Sequence, residues 1–178
     1  DLNGDGLDEL IFGVPGQDDF DGTVDMGMVG ILYGAPGVPT SEPAGGFNFN
    51  ARSWWWEDLL PSLPPLTAES SEQDRFGQAI ATADFNRDGF EDLAVGVPGN
   101  DSFFLDRGRV YILAGNPGLN LWPVAPVETG FEGVPGPTWE PVFTQQWAAF
   151  GTALAVGDFD GGGHPDLAVG LPDYDLPG

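Results

Sequence analysis

Acidic and amide side chains recur at alternate positions in the stretch DFNRDGFED, which runs from residue 84 to residue 92. The first, third, fifth and ninth positions carry the side-chain oxygens of Asp84, Asn86, Asp88 and Asp92. Gly89 at the sixth position permits a sharp turn, and the backbone carbonyl of Phe90 follows at the seventh. Oxygen ligands at this spacing suit Ca²⁺, and a bound cation would neutralise acids that otherwise repel one another. The stretch therefore predicts a calcium-binding loop.

Other interpretations of this stretch are weaker. An EF-hand needs a glutamate at position 12 and flanking helices, whereas Val95 stands at that position inside an apolar, strand-like run. Zinc sites use Cys and His ligands, and the chain has no Cys and one His. Mg²⁺ usually keeps several of its waters, so Ca²⁺ is favoured over it. A plain Asx turn with exposed acids stays open as the alternative for any single loop.

The loop recurs, which favours the cation over the plain turn. Three stretches align without a gap: DLNGDGLDELIFGVPG from Asp1, DFNRDGFEDLAVGVPG from Asp84 and DFDGGGHPDLAVGLPD from Asp158. Their starts lie 83 and 74 residues apart. The second and third also share a lead-in, DRFGQAIATADF and AAFGTALAVGDF, and GMVGILYGAPG after the first matches GRVYILAGNPG after the second. Self-similarity at such a period indicates a repeat protein.

Short β-branched or alternating runs, bounded by Gly and Pro, surround the loops, and such runs are typical of strands. The pattern predicts an all-β chain of antiparallel blades with about four strands each, as in β-propellers. Roughly two and a half blades fit in the chain, too few to close a ring, so we expect an incomplete ring or a repeat array. The predicted repeats cover residues 1–75, 76–149 and 150–178, of which the first and last are incomplete.

The predicted array begins and ends inside a blade. We therefore expect either a piece of a longer chain or a protomer whose strands are completed by a neighbour. Head-to-tail completion by other copies that does not close would produce a filament.

Charge and composition limit the classes of function. The 178-residue chain carries 28 acids against five Lys and Arg, a formal net charge of −23, which disfavours nucleic acids and anionic membrane surfaces as partners. No apolar run approaches the ~18 residues of a transmembrane helix. Cys is absent and the single histidine, His164, falls inside an acidic loop, so we do not expect an enzyme.

Three recurrent motifs together resemble FG-GAP repeats of the integrin α-subunit type. They are the FG pairs at residues 76–77 and 150–151, the acidic loops, and the GVP or GLP triplets at residues 13–15, 96–98 and 170–172. The resemblance covers nearly the whole chain. It implies calcium-stabilised blades of a β-propeller, seven in an integrin-like ring, on extracellular or cell-surface proteins.

The resemblance extends the ligand prediction to the other two loops. In the first loop it implies Asp1, Asn3, Asp5, the Leu7 carbonyl and Glu9, with Glu in place of the usual Asp. In the third loop it implies Asp158, Asp160, the His164 carbonyl and Asp166. Gly162 stands where the fifth-position acid belongs, so we expect water there and the weakest of up to three Ca²⁺ sites.

The resulting hypothesis is a calcium-binding extracellular module with a structural or adhesive role. Its expected partners are other copies of itself, neighbouring blades, or a protein or glycan ligand. The alternative is a carbohydrate- or protein-binding accessory propeller of a secreted enzyme. Asn100 begins the sequence Asn-Asp-Ser in a turn expected to be exposed, which predicts N-glycosylation.

Overall fold

The computed structural model describes residues 1–18, 22, 24–35, 46–47, 52–55, 73–100, 108–115 and 149–172. These residues form strands and turns, without a helix in the described ranges, which confirms the all-β prediction. The strands are β1 Leu10–Val14, β2 Met28–Leu32, β3 Gly34–Ala35, β4 Gly46–Phe47, β5 Arg52–Trp55, β6 Ala79–Ala83, β7 Asp92–Val97, β8 Arg109–Leu113, β9 Leu154–Gly157 and β10 Asp166–Val169.

The strands form small antiparallel sheets that follow the repeats. Unit 1 contains the sheet β1-β2-β5, unit 2 the sheet β6-β7-β8 and unit 3 the pair β9-β10, while β3 and β4 form a separate pair. Neighbouring strands are antiparallel in each sheet. No ring closes among the sheets of the described residues, as expected of partial propeller blades.

Each acidic stretch is a turn that leads directly into a strand of its unit, β1, β7 or β10. We call residues 1–9 loop 1, residues 84–92 loop 2 and residues 158–166 loop 3. Loop 2 joins β6 to β7, where Ala83 pairs with Asp92, and loop 3 joins β9 to β10, where Gly157 pairs with Asp166. Loop 1 leads directly into β1. In loops 2 and 3 the strand register therefore brings the first and ninth loop positions to the base of the same turn.

Strand β7 is the centre of the described structure, and all of its residues are buried. Because side chains of a strand alternate between the two faces of the sheet, β7 contributes to two apolar clusters. Leu93 and Val95 join the cluster that includes Leu2 and Ile31 of unit 1. Ala94 joins the second cluster, which contacts unit 3. The core thus lies between units, as in a stack of blades.

Glycines of consecutive units lie against one another at both junctions. A Cβ atom on Gly13 would lie 2.0 Å from the carbonyl oxygen of Gly77, and one on Gly96 would lie 2.0 Å from that of Gly151. The same FG pairs form isolated parallel bridges to the preceding unit, Gly27 with Phe76 and Gly108 with Phe150. The FG and GVP motifs therefore recur because a side chain at these glycines would block the contact between units.

A membrane-spanning helix is not found among the residues that the structure describes. The repeat boundaries at residues 75 and 149 stay predictions. The second predicted repeat contacts the first at its first residue, where the Phe76 N–H donates to the Met26 carbonyl at 2.8 Å.

Candidate metal centre

The three loops share a pattern of hydrogen bonds that curls the backbone around their acids. The first-position carboxylate accepts the N–H of the sixth residue at 2.8 Å from Gly6, 3.0 Å from Gly89 and 2.9 Å from Gly163. The third-position oxygen accepts the fifth-residue N–H in each loop. The ninth-position carboxylate accepts the second-residue N–H in each loop. The sequence pattern thus specifies the same turn three times.

Glycine at the sixth position is required by the backbone. Gly6, Gly89 and Gly163 have φ angles of 85°, 93° and 78°, in the left-handed region where a Cβ is unfavourable. No atom outside the immediate chain neighbours lies within 4 Å of a Cβ built at these positions. The glycines are therefore needed for the turn itself and not to avoid another residue.

Loop 1 brings three carboxylates together. One oxygen each from Asp1, Asp5 and Glu9 lies within 4.8 Å of the others. The Glu9 Oε2 atom accepts the Leu2 N–H at 2.8 Å, whereas Oε1 is buried and accepts no hydrogen bond. Burial raises the pKa of Glu9, as do the nearby Asp5 and Asp8, while the Leu2 N–H lowers it. A buried, unpaired carboxylate oxygen beside two further acids fits the donor set for a hard cation.

The Asn3 and Asn86 amides face the acids with their nitrogen in this structure. Asn3 Nδ2 donates to Asp5 at 3.2 Å, and Asn86 Nδ2 donates to Asp88 at 2.9 Å and to Asp92 at 3.4 Å. An amide N–H here partly offsets the negative charge. Coordination through the amide oxygen would require each side chain to turn.

Loop 2 holds its ninth-position acid more tightly than the other loops. Asp92 is 1% exposed, and its Oδ2 accepts the N–H groups of Phe85 and Asn86 at 3.0 and 3.2 Å. Its Oδ1 accepts the N–H of Gly115, just after β8, at 3.1 Å. Burial raises the pKa of Asp92, and these backbone donors lower it. Asp84, Asp88 and Asp92 do not form a close group of three oxygens like that of loop 1, within the described residues.

Loop 3 is the most open of the three. Asp158, Asp160 and Asp166 each offer an oxygen within 4.8 Å of the others, but the first two are exposed. Gly162 supplies no oxygen at the fifth position, and His164 is exposed at the seventh. The backbone carbonyls of Leu7, Phe90 and His164 hold equivalent places in the three loops.

The structure reveals one supporting residue that the loop spacing could not indicate. Gly115 lies 23 residues beyond Asp92, yet its N–H holds the Asp92 side chain. A Cβ on Gly115 would lie 2.2 Å from the Glu91 carbonyl oxygen, and one on Gly34 would lie 3.1 Å from the Asp8 carbonyl oxygen. The signal available in the sequence was the glycine that recurs just after GILY and YILA.

Asn100 itself is not exposed, contrary to the expectation from the sequence. Asn100 is 1% exposed, and its backbone carbonyl accepts the Gly108 N–H at 3.2 Å. The expectation of exposure is wrong at this residue. Glycosylation at Asn100 stays a prediction, and the burial counts against it.

Comparisons with known proteins bear on the whole chain. Residues 76–113 match the FG-GAP repeat family. Integrin alpha-PS2 of Drosophila melanogaster is 35% identical over 183 residues, covering 98% of this chain and 11% of the relative. Integrin alpha-5 of Xenopus laevis is 33% identical over 178 residues, covering 96% of this chain and 14% of the relative. Phosphatidylinositol-glycan-specific phospholipase D of Bos taurus is 39% identical over 130 residues, covering 65% of this chain and 14% of the relative.

These matches agree with the fold and with the loops. The chain spans between about a tenth and a seventh of the length of these relatives. The matched segment 76–113 contains the FG pair, loop 2 and the strands β6, β7 and β8. The resemblance predicted from the motifs is thereby confirmed, and the chain belongs to the FG-GAP repeat family.

Proposed function

We propose that this chain is a calcium-binding FG-GAP module with a structural or adhesive role outside the cell or at its surface. The observation that carries the proposal is the grouping of three carboxylates within 4.8 Å in loop 1 and again in loop 3. Like charges at such distances repel one another, by about 1 kcal/mol per pair even in water. The buried Glu9 Oε1 without a hydrogen-bond donor adds a second reason to expect a cation.

The predicted ligands are the loop oxygens named from the sequence. Loop 1 would use Asp1, Asn3, Asp5, the Leu7 carbonyl and Glu9; loop 2 would use Asp84, Asn86, Asp88, the Phe90 carbonyl and Asp92; loop 3 would use Asp158, Asp160, the His164 carbonyl and Asp166. Ca²⁺ takes six to eight oxygen ligands in flexible geometry, which suits this mixture of carboxylates, amides and carbonyls.

Hydrogen bonds of the loop acids indicate how a bound cation would stabilise the structure. The bound cation supplies positive charge at the turn. The first-position acid orients the turn through the sixth-residue N–H, and the ninth-position acid fixes the base through the second-residue N–H. In loops 2 and 3 both acids sit at the ends of paired strands, so ordering the turn also orders the hairpin. The blade and its contacts with the next unit are stabilised as a consequence.

A calcium titration of the full chain would test the proposal. The amides of Gly6, Gly89 and Gly163 report separately on the three loops, because each donates to its loop's first acid. We expect all three resonances to shift on addition of CaCl₂ and to return with EDTA. Loop 3 should fill last, since Gly162 supplies no oxygen. Three glycine signals unchanged at millimolar Ca²⁺ would refute calcium binding.

Variants of loop 1 separate coordination from simple loss of charge. Asp5→Asn removes the charge of a predicted ligand. Asp8→Asn removes an exposed acid of the same loop that is not a predicted ligand. We expect Asp5→Asn to weaken calcium binding at loop 1 about tenfold or more, a typical consequence of losing one ligand charge at a cation site. Asp8→Asn should change it far less. Equal effects of the two variants would point to general electrostatics.

Similarity to integrin α chains supports an adhesive role and an extracellular or cell-surface location. A protein ligand is the corresponding partner, and the formal charge of −23 argues against nucleic acid. Beads coated with the purified chain should capture a binding protein from extracellular material in calcium and release it in EDTA. Capture that is unaffected by EDTA would show that binding of this partner does not depend on calcium in the loops.

Assembly with other copies remains part of the proposal. Consecutive units of this chain bury apolar clusters against each other, and we propose that units of separate copies pack in the same way. Light scattering across a concentration series would test it. Growth of the average mass with concentration supports head-to-tail assembly, and a constant monomer mass refutes it.

The alternative is an accessory module of a secreted enzyme that binds carbohydrate or protein. Similarity to phosphatidylinositol-glycan-specific phospholipase D over 65% of the chain supports this alternative. The module itself is proposed to be non-enzymatic in either case. Binding of the chain to a glycan array, with a dissociation constant unaffected by protein competitors, would favour the accessory role.

A further inference from the structure

Loops 1 and 2 touch each other beside their predicted ligands. A Cβ on Gly4 would lie 2.3 Å from Cε1 of Phe90, so the Phe90 ring packs directly on the backbone of loop 1. Gly4 lies between Asn3 and Asp5, and the Phe90 carbonyl is the seventh-position ligand predicted for loop 2. The two turns are therefore in direct contact.

Two further contacts join the ninth-position acids and their surroundings. The Leu2 N–H donates to Glu9, while the Leu2 carbonyl oxygen would lie 2.7 Å from a Cβ on Gly115. The Gly115 N–H in turn donates to Asp92. The Glu91 N–H also donates to the Asp1 carbonyl at 3.3 Å. The Leu2–Gly115 and Asp1–Glu91 contacts each connect loop 1 to residues that hold or adjoin Asp92.

Loop 3 lacks the corresponding contact with loop 2. The positions equivalent to Gly4 and Phe90 at this junction are Arg87 of loop 2 and His164 of loop 3, and both residues are exposed. Within the described residues, the direct loop-to-loop packing thus occurs between loops 1 and 2.

We infer that loops 1 and 2 bind calcium as a positively coupled pair, while loop 3 binds independently. The inference rests on the proposed calcium binding and adds how the sites regulate one another. A cation that orders loop 1 fixes Gly4 and Leu2, and so reduces the ordering that remains for loop 2. Charge acts in the opposite direction, because a cation in one loop weakens the field at the other. That effect is screened beyond about 8 Å at 0.15 M salt.

The test follows the Gly6, Gly89 and Gly163 amide resonances during CaCl₂ titrations at 0.15 M salt. Loop 1 is disabled by Asp5→Asn with Glu9→Gln, which keeps the hydrogen-bonding shape of both side chains. We expect the calcium affinity of loop 2, read from Gly89, to fall about fivefold or more, within the range of measured allosteric couplings. The affinity of loop 3, read from Gly163, should stay unchanged and shows that the variant is folded.

Reciprocity makes the expectation stricter. Disabling loop 2 with Asp84→Asn and Asp88→Asn must lower the loop 1 affinity, read from Gly6, by the same factor. Phe90→Ala should shrink that factor in both directions, and His164→Ala is its matched control in loop 3. Gly4→Ala and Gly161→Ala form a second pair with nearly equal φ angles of 72° and 74°, of which only Gly4→Ala meets the Phe90 ring.

The outcomes distinguish the inference from the proposed function. A loop 2 affinity that stays equal or rises when loop 1 is disabled would overturn the coupling while calcium binding stands. A coupling factor unchanged by Phe90→Ala would overturn its assignment to this contact. No calcium-dependent shift at any of the three glycines would overturn both the proposed function and the coupling.

Discussion

Units 2 and 3 carry the same loop pattern, with nine identical residues among the 16 that follow from Asp84 and from Asp158, yet their side chains have different surroundings. Phe85 and Phe159 hold the second position of their loops, and both donate their N–H to the ninth-position acid. Phe85 is 6% exposed and belongs to an apolar cluster that packs against Leu154 and Leu167 of unit 3. Phe159 is 63% exposed. Local sequence determines the turn, whereas the neighbouring unit determines what the turn buries.

Truncating the two phenylalanines should give the largest difference. Phe85→Ala removes a buried ring from between units 2 and 3, so we expect a loss of about 3–5 kcal/mol in the free energy of unfolding. Phe159→Ala removes a mostly exposed ring and should cost less than about 0.5 kcal/mol. Urea denaturation followed by circular dichroism measures both values. Similar losses of unfolding free energy in the two variants would mean that the phenylalanine stabilises its own loop and not the contact between units.

The glycine contacts offer the next test. Gly96→Ala places a methyl group 2.0 Å from the Gly151 carbonyl oxygen, whereas Gly170→Ala meets its nearest atom, Ala153 Cβ, at 3.2 Å. Because two backbones must separate in the first case, we expect about 3 kcal/mol of destabilisation from Gly96→Ala. Gly170→Ala should cost much less. Thermal unfolding of the two variants under identical calcium concentration checks the ranking, and a reversed order would contradict the blade contact.

A smaller effect concerns pH in the calcium-free protein. Burial raises the pKa of Asp92, so its ionised form is disfavoured in the folded state. The folded chain then binds more protons than the unfolded chain between the ordinary carboxyl pKa and the raised one. Stability from Asp92 is therefore gained as the pH falls through the raised pKa, and is lost as the pH rises.

Asp92→Asn should flatten this part of the stability profile measured in EDTA between pH 7 and pH 4. Asp166→Asn, at the matching position of the more open loop 3, gives the background produced by removing an acid from a chain of formal charge −23. Profiles with identical slopes for the two variants would show that burial of Asp92 makes no separate contribution. Addition of calcium should reverse the slope, because a bound cation favours ionised ligands.

The smallest expected effect lies at the fourth loop position. Arg87 has a φ angle of 64°, whereas glycines occupy the same place as Gly4 and Gly161 in the other loops. A left-handed conformation costs a non-glycine residue roughly 1–2 kcal/mol, and Gly loses part of this advantage through its greater unfolded-state entropy. Arg87→Gly should therefore stabilise the chain by about 0.5 kcal/mol in thermal unfolding. A clear loss of stability would indicate that the Arg87 side chain contributes more than its strain.

Much of the fold could be predicted from the sequence because it depends on local patterns. Alternating apolar residues and Gly/Pro boundaries predicted strands where the structure has β6, β7 and β8. The FG-GAP resemblance was also confirmed. The three loops form the hydrogen bonds that an Asx-rich turn allows between residues two to seven positions apart. Such interactions are specified by spacing alone.

The unpredicted features involve residues far apart in the chain. Gly115 supports Asp92, Phe90 packs on Gly4, and Asn100 is buried where an exposed turn was expected. Gly115 follows a different strand from the one that begins at Asp92, and Phe90 and Gly4 belong to different units. A nine-residue loop carries no information about those neighbours.

The sequence by itself therefore determined the repeat, the strands and the oxygen-rich turns, since each arises from side chains within one short segment. Only the tertiary structure decided which turns touch, which acids are buried and which aromatic rings are covered. Those properties depend on how one unit packs against the next, and that packing is governed by backbone approach at paired glycines such as Gly96 and Gly151.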